Sequence, residues 1–166
     1  STVAIGGTGV FEAANSGQPG TLEPATPPCF TLGVEFLGNP DNFPVKVTID
    51  FGTGCLGKDG RTRKGKIITV YTGHMILAGS VAETSFDNYY VNEIKVEGTH
   101  RVENKSTPGA FTFETKVLNG KLTRLNGDFV NWNRTRTITQ VEGSTTPMNP
   151  LDDAYSIVGI GSGVVQ

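Results

Sequence analysis

The chain has very little of several things that chemistry requires. Its only histidines are His74 and His100, so neither a multi-histidine zinc centre nor any other metal site is expected. Its only cysteines, Cys29 and Cys55, allow one disulfide and no dense disulfide framework. No stretch of about eighteen apolar residues occurs, which excludes a membrane-spanning helix within this sequence. Charge is sparse and almost balanced at a net −2, which argues against a general nucleic-acid binder. No G-x-S-x-G elbow is present. "GIGSG" near the end is rich in glycine, but no helical pattern follows it to receive a phosphate. Carboxylates are plentiful, yet no pair stands out as acid and base. Neither an enzyme nor a cofactor is expected.

What the sequence does have is strand chemistry. Its 166 residues suit a single domain with a real core. Gly 22 and Pro 9 punctuate short elements, and Thr and Val are common between them. Residues 1–28 are poor in charge and interrupted by "GGTG" and "PATPP". They read as an irregular arm, with a short strand at Thr2–Ile5. Residues 29–166 read as one β domain. "PVKVTIDF" alternates, placing Val45, Val47, Ile49 and Phe51 on one face. "KIITVYT", "VAETSFDNYYV", "IKVEGTHRVEN", "AFTFETKVL" and "DFVNWNRTRTITQ" follow as strands. Asn119-Gly120 and Asn126-Gly127 are type I′ hairpin signals bracketing a short strand, Lys121–Leu125. After a Pro-broken loop, "AYSIVGIG" is the last full strand, and a new one begins at Gly163, so the C-terminus reads as cut. The expected class is all-β. About nine strands form a largely antiparallel meander, as a curved sheet, a sandwich or a partly closed barrel.

Cys29 and Cys55 flank two of these strands around the turn "GNPDNFP". With the turn centred near Pro40–Asn42, they are expected to face each other across an antiparallel pair, within disulfide range. The bridge implies an oxidising compartment.

Four groups of residues are candidates for binding. "KDGRTRKGK" places Arg61 and Arg63 on one side of a strand and Lys64 and Lys66 on the other, around an Asp59-Gly60 turn. A solvated, aggregation-resisting hairpin end is the leading reading there, and a polyanion contact the alternative. In "WNRTRTI", Trp132, Arg134, Arg136 and Ile138 share one face. Were that face inward, the arginines would need Glu97, Glu103, Glu114 or the carboxylate or phosphate of a ligand. Otherwise their stems pack on the sheet and their heads reach water. Tyr89 and Tyr90 point to opposite faces, and an exposed Tyr90 beside Trp132 would stack a sugar ring. Asp41, Asp152 and Asp153 fall in loops without EF-hand spacing and read as turn caps.

Five stretches in order, "VTIDFGTGC", "KDGRTRKGKI", "FDNYYVN", "KVEGTHRVEN" and "NRTRTIT", resemble an uncharacterised family of secreted or lipid-anchored β-rich proteins of the Bacteroidota. The likeness covers about Val45 to Gly163. It implies export, often as a lipoprotein held by a lipidated N-terminal cysteine, and no established activity. The chain begins at Ser1 without that cysteine and reads as a trimmed or mature form, with any lipid anchor upstream. Glu93 follows Asn92 where the family carries the glycine of an Asn-Gly turn. The expected function is a non-enzymatic binding or structural module of the periplasm, the outer membrane surface or the exterior. Its expected partners are an envelope protein, a glycan or an amphipathic ligand. The alternatives are a carrier holding an apolar or amphipathic ligand in a β-cup, with "MILAG" at Met75–Gly79 as an apolar lip, and a glycan-processing enzyme.

Overall fold

A computed structural model describes residues 29–38, 42–143 and 153–166. The arm expected over 1–28, with its strand at Thr2–Ile5, lies outside the described residues, as do Asp41 and Asp152. Nine strands make one sheet, and no helix occurs among the described residues: β1 (Thr31–Phe36), β2 (Val45–Asp50), β3 (Cys55–Leu56), β4 (Thr62–Tyr71), β5 (Val81–Val91), β6 (Ile94–Asn104), β7 (Thr112–Thr123), β8 (Phe129–Glu142) and β9 (Ala154–Val165). The order is β1-β2-β4-β5-β6-β7-β8-β9, with β3 beside β4, and every pairing is antiparallel. Of the three forms expected, the chain adopts the curved meander; the sheet is neither doubled into a sandwich nor closed into a barrel.

Strict alternation gives the sheet two unlike faces. The register aligns Val34, Val47, Thr69, Thr84, His100, Val117 and Arg134 across seven strands, all on one side. This side also carries Val45, Ile49, Ile67, Phe86, Val102, Phe113, Leu122 and Ile138, and is the apolar face. The opposite side is laced with ion pairs. Lys46 pairs with Glu35, Lys66 with Asp50 at 3.2 Å, and Arg101 with Glu103 at 3.0 Å. Lys116 meets Glu114 at 2.8 Å and Lys95 meets Glu97 at 2.8 Å. Such exposed pairs are each worth roughly 0–1 kcal/mol, so they specify which side faces water more than they stabilise the sheet.

The core is small and off-centre. Val47, Ile49, Val81, Ala82, Tyr89 and Cys55 are buried, around β2, β4 and β5. Within it the Thr69 and Thr84 hydroxyls satisfy each other at 2.9 Å. The Cys29–Cys55 disulfide closes its lower edge, with Cα atoms 5.3 Å apart. The bridge is present as expected, but not across the β1–β2 pair. That pair runs Thr31↔Asp50 to Phe36↔Val45, and Cys55 belongs to β3, opposite Arg63. The bridge therefore ties the chain just before β1 to β3, which continues the line of β2 along the same edge of β4. Phe30 lies 5.8 Å from Phe51, Phe51 5.7 Å from Tyr89, and Tyr89 5.6 Å from Phe86, giving an aromatic chain beside the bridge.

Three expectations about turns are corrected. Asn119-Gly120 is not a hairpin; β7 runs straight through it. Asn119 takes φ +51°, and the register shifts there. The residue is a bulge, and Lys121–Leu125 is no separate strand. Asn126-Gly127 does sit in a hairpin loop, but only Gly127 has positive φ, at +92°. The loop is closed by Gly127 N–H donating to the Arg124 carbonyl and Arg124 N–H donating to Asp128, a longer loop with glycine in the bulge position. Third, no new strand starts at Gly163, because β9 is continuous to Val165. The type I′ geometry instead falls at Asn92-Glu93, where both residues have positive φ, +47° and +69°. Glu93 occupies the place where a glycine is the unstrained choice.

The bulges line up. Gly65 packs against Asn88, and Gly98 against Asn119, so closely that a Cβ would fall 2.0 Å and 2.6 Å from the respective carbonyl oxygens. Register shifts at these points run from β4 to β7. Bulges bend strands and increase local twist, so the line is a crease across the sheet.

Candidate functional site

The crease ends at Trp132. Gly120 faces Trp132 on the apolar side, and a Cβ on Gly120 would meet the indole at 2.7 Å. The ring therefore lies on bare backbone, half-buried. Beyond it along β8 come Arg134, exposed, and Arg136, half-buried, on the same face. Two residues apart on a strand, their Cα atoms are separated by about 7 Å. On the outer side β9 places Gly163 opposite Trp132, Gly161 opposite Arg134 and Gly159 opposite Arg136. Alternate glycines thus leave a side-chain-free track beside the two guanidinium groups.

Neither arginine has an ion-pair partner among the described residues. The three glutamates considered as partners cannot serve. Glu97, Glu103 and Glu114 stand on the opposite face, each with its own cation. The apolar face thus carries two cations without ion-pair partners among the described residues, while these three glutamates are engaged behind it.

His100 belongs to this neighbourhood and was not singled out from the sequence. It sits on β6 in the same cross-strand row as Val117 and Arg134. Burial, and secondarily the charge of Arg136, hold its pKa below the usual histidine value, so the neutral ring is favoured. The signal that could have found it is parity: Ile94, Val96, His100 and Val102 share one phase of β6.

Next to Ile138, the face dips into a depression of about 290 Å³ lined by Phe111, Phe113, Ile138, Gln140 and Tyr155, with Asp153 at its rim. Gln140 Nε2 donates to Asp153 Oδ1 at 2.7 Å, and Tyr155 Oη donates to Asp153 Oδ2 at 3.1 Å. Asp153 is thereby held in the end of the sheet by side chains. Together, Trp132, the arginines and this depression form one strip along β7–β9: aromatic, cationic, then apolar.

The remaining sequence candidates lie elsewhere. Arg63 is on the apolar face of β4, four strands from Trp132, tied to Asp59 by two bonds, Nη1–Oδ1 at 3.0 Å and Nη2–Oδ2 at 2.7 Å. The Asp59 carboxyl is held well below the usual range, first by the Arg63 hydrogen bond and then by the Arg61 N–H. Arg61 is exposed, its Nε 3.9 Å from the same carboxylate. "KDGRTRKGK" is thus a hairpin end organised around its own aspartate. Tyr90 is on the ion-paired face with Lys64 Nζ 4.3 Å from its ring centre, so it and Trp132 are on opposite sides of the sheet. Tyr89 is the buried member of the pair.

The Met75–Gly79 segment is tied down at its backbone. Asn104, the most deeply buried side chain among the described residues, donates from Nδ2 to the Met75 carbonyl at 2.8 Å and accepts from Ser106 N–H at 2.8 Å. Gly79 N–H donates to the Asn104 carbonyl at 2.7 Å. Ile76 and Leu77 nevertheless project into solvent. Among the described residues, no helix is long and apolar enough to cross a membrane, and no cluster of three His, Cys, Asp or Glu is placed to hold a metal. Compared with protein-family models, curated proteins and solved structures, the chain matches none.

Proposed function

We propose that this chain is an exported, non-enzymatic binding module of the cell envelope that takes an amphipathic anion on its apolar face. The anionic head meets Arg134 and Arg136, and the tail lies along Ile138 toward Phe113 and Tyr155. One observation carries the reading: two arginines without ion-pair partners among the described residues stand on an apolar face, while Glu97, Glu103 and Glu114 are paired on the other side and Asp153 is held by Gln140 and Tyr155. A guanidinium on an apolar surface gains most from an anion that also covers that surface, because charge-assisted hydrogen bonds are stronger once water is displaced. The depression, about 290 Å³ and open to solvent, lies just below the range of about 300–1,000 Å³ usual for ligand pockets, so it has room for no more than a single acyl chain. The disulfide supports an oxidising compartment. The resemblance to secreted and lipid-anchored proteins of the Bacteroidota supports the same placement.

The chain contains one tryptophan, so the site carries its own reporter. Titration with dodecanoate below its micellar concentration should change Trp132 emission saturably. Dodecanol, with the same tail and no charge, should bind at least about ten-fold more weakly, since a charged hydrogen bond contributes about 1.5–3 kcal/mol. Arg134→Gln/Arg136→Gln should abolish that preference. Equal affinity for the acid and the alcohol, or no saturable change, removes the reading.

A further inference from the structure

The strip ends at β9, and β9 is an open edge. Among the described residues none pairs with its outer side. The other edge is short and charged: β1 has six residues, and its Glu35 pairs with Lys46. β9 has twelve, with no charge, no proline and no register shift from Tyr155 to Val165. Side chains on both of its faces are exposed, including Ile157, Val158, Ile160 and Val164. Proteins normally blunt such an edge with lysine, proline or a bulge, and β9 has none of these.

The hydrogen-bond phase shows which backbone groups are left over. Phe129 and Gln166 exchange both bonds, N–H to carbonyl in each direction, at 3.0 Å and 2.9 Å. In an antiparallel ladder such bonded pairs alternate with non-bonded ones. Even-numbered residues of β9 therefore bond inward to β8. Tyr155, Ile157, Gly159, Gly161, Gly163 and Val165 turn their N–H and carbonyl groups outward. Three of these are glycines, so little shields the outward backbone from an approaching strand.

We infer that β9 pairs antiparallel with β9 of a second copy of this chain, about a two-fold axis at Ile160. Only a strand satisfies a row of alternating donors and acceptors, and this one complements itself. In that register Tyr155 faces Val165, Ile157 faces Gly163 and Gly159 faces Gly161, so every outward residue finds an outward partner. Ile160 meets its own counterpart on the other face, in a close non-bonded pair. No charge opposes another along the contact. The axis runs perpendicular to the sheet, so the apolar faces of both copies lie on the same side. Each Arg134 then looks across the glycine track of both edge strands, Gly161 of its own copy and Gly159 of the second, toward Arg136 of the second copy, which joins the two strips into one trough. The pairing needs no ligand and stands or falls separately from the binding reading.

Sedimentation velocity of the wild-type chain without amphiphile should show a concentration-dependent monomer–dimer equilibrium. Ile160→Lys sets two like charges opposite each other and should weaken the dimer about ten-fold or more, as should Ile160→Glu. An equimolar mixture of the two variants should recover association, a result that mere loss of folding cannot give. Ile157→Pro, which deletes one outward N–H and leaves the inward bonds intact, should also weaken it. A wild-type monomer at every concentration overturns the pairing, even if it still binds dodecanoate. So does a ladder of larger species, or a mixture of variants that fails to reassociate.

Discussion

Removing the Cys29–Cys55 bridge should cost this fold about as much as emptying a large core side chain. The bridge spans 26 residues and encloses β1 and β2. Loop-closure entropy for a ring of that size is worth about 3.5 kcal/mol at room temperature. A further contribution comes from Phe30, which the bridge holds 5.8 Å from Phe51; an aromatic contact of this kind adds about 0.5–1.5 kcal/mol. Beyond its pairing with β2, β1 buries little side-chain surface, since Leu32 and Val34 are more than half exposed, at 53% and 56%. Cys29→Ser/Cys55→Ser should therefore lose about 4 kcal/mol. With a urea m-value of about 2 kcal/mol/M, the midpoint moves down by about 2 M. Far-UV circular dichroism and Trp132 emission should both report it, and reduction of the wild-type protein should reproduce the shift. A midpoint change below about 0.3 M would refute the reasoning, for it would mean that β1 is held by contacts other than the bridge.

Three more outcomes follow from single residues. Asn104→Ala strands the Met75 carbonyl and the Ser106 N–H in a buried site, so it should cost about 2 kcal/mol in urea unfolding and speed protease cleavage within 72–80. Glu93→Gly should raise stability by about 0.5–1 kcal/mol, because it relieves positive φ at the second position of the β5–β6 turn and outweighs the added chain entropy of glycine. His100 has a lowered pKa in the fold, so the unfolded chain takes up its proton first as the pH falls; the stability owed to the neutral ring is full above about pH 6.5 and declines below it. Urea midpoints at pH 7.5 and pH 5.5 should show that decline in the wild type and less of it in His100→Gln.

The fold class was legible because alternation is a strong signal wherever one side of a strand meets apolar neighbours. Val45, Val47 and Ile49 on β2 and Trp132, Arg134, Arg136 and Ile138 on β8 fall on the faces their parity predicts. Turn chemistry was less readable, because asparagine and glycine favour positive φ wherever the backbone needs it. Asn119-Gly120 has the letters of a hairpin but sits opposite Gly98 as a bulge. Asn92-Glu93 lacks the glycine yet makes the tight turn, since β5 and β6 on either side leave no other path. The disulfide was found by the right residues and a slightly wrong geometry. The Thr31↔Asp50 register stops short of both cysteines, and the two-residue β3 that positions Cys55 has too little sequence to show a pattern.

For the site, the arginines and their face were readable and their isolation was not. Whether Glu103 or Glu114 could reach Arg136 depends on parity relations across β6, β7 and β8 together. One bulge more or fewer would have changed the answer. His100 escaped for a related reason, since a solitary histidine on a half-buried strand reveals its role only when its cross-strand neighbours are known.

The crease has a bearing on how this architecture can vary. Its shape is dictated where main chain meets main chain, at Gly65 against Asn88 and Gly98 against Asn119. No amino acid with a side chain fits those two contacts without displacing the neighbouring ribbon. The residues that would meet a guest carry no such restriction. Lineages could therefore exchange the lining of the hollow freely while its curvature is inherited unchanged. Selectivity and form would evolve as separate traits in such a scaffold.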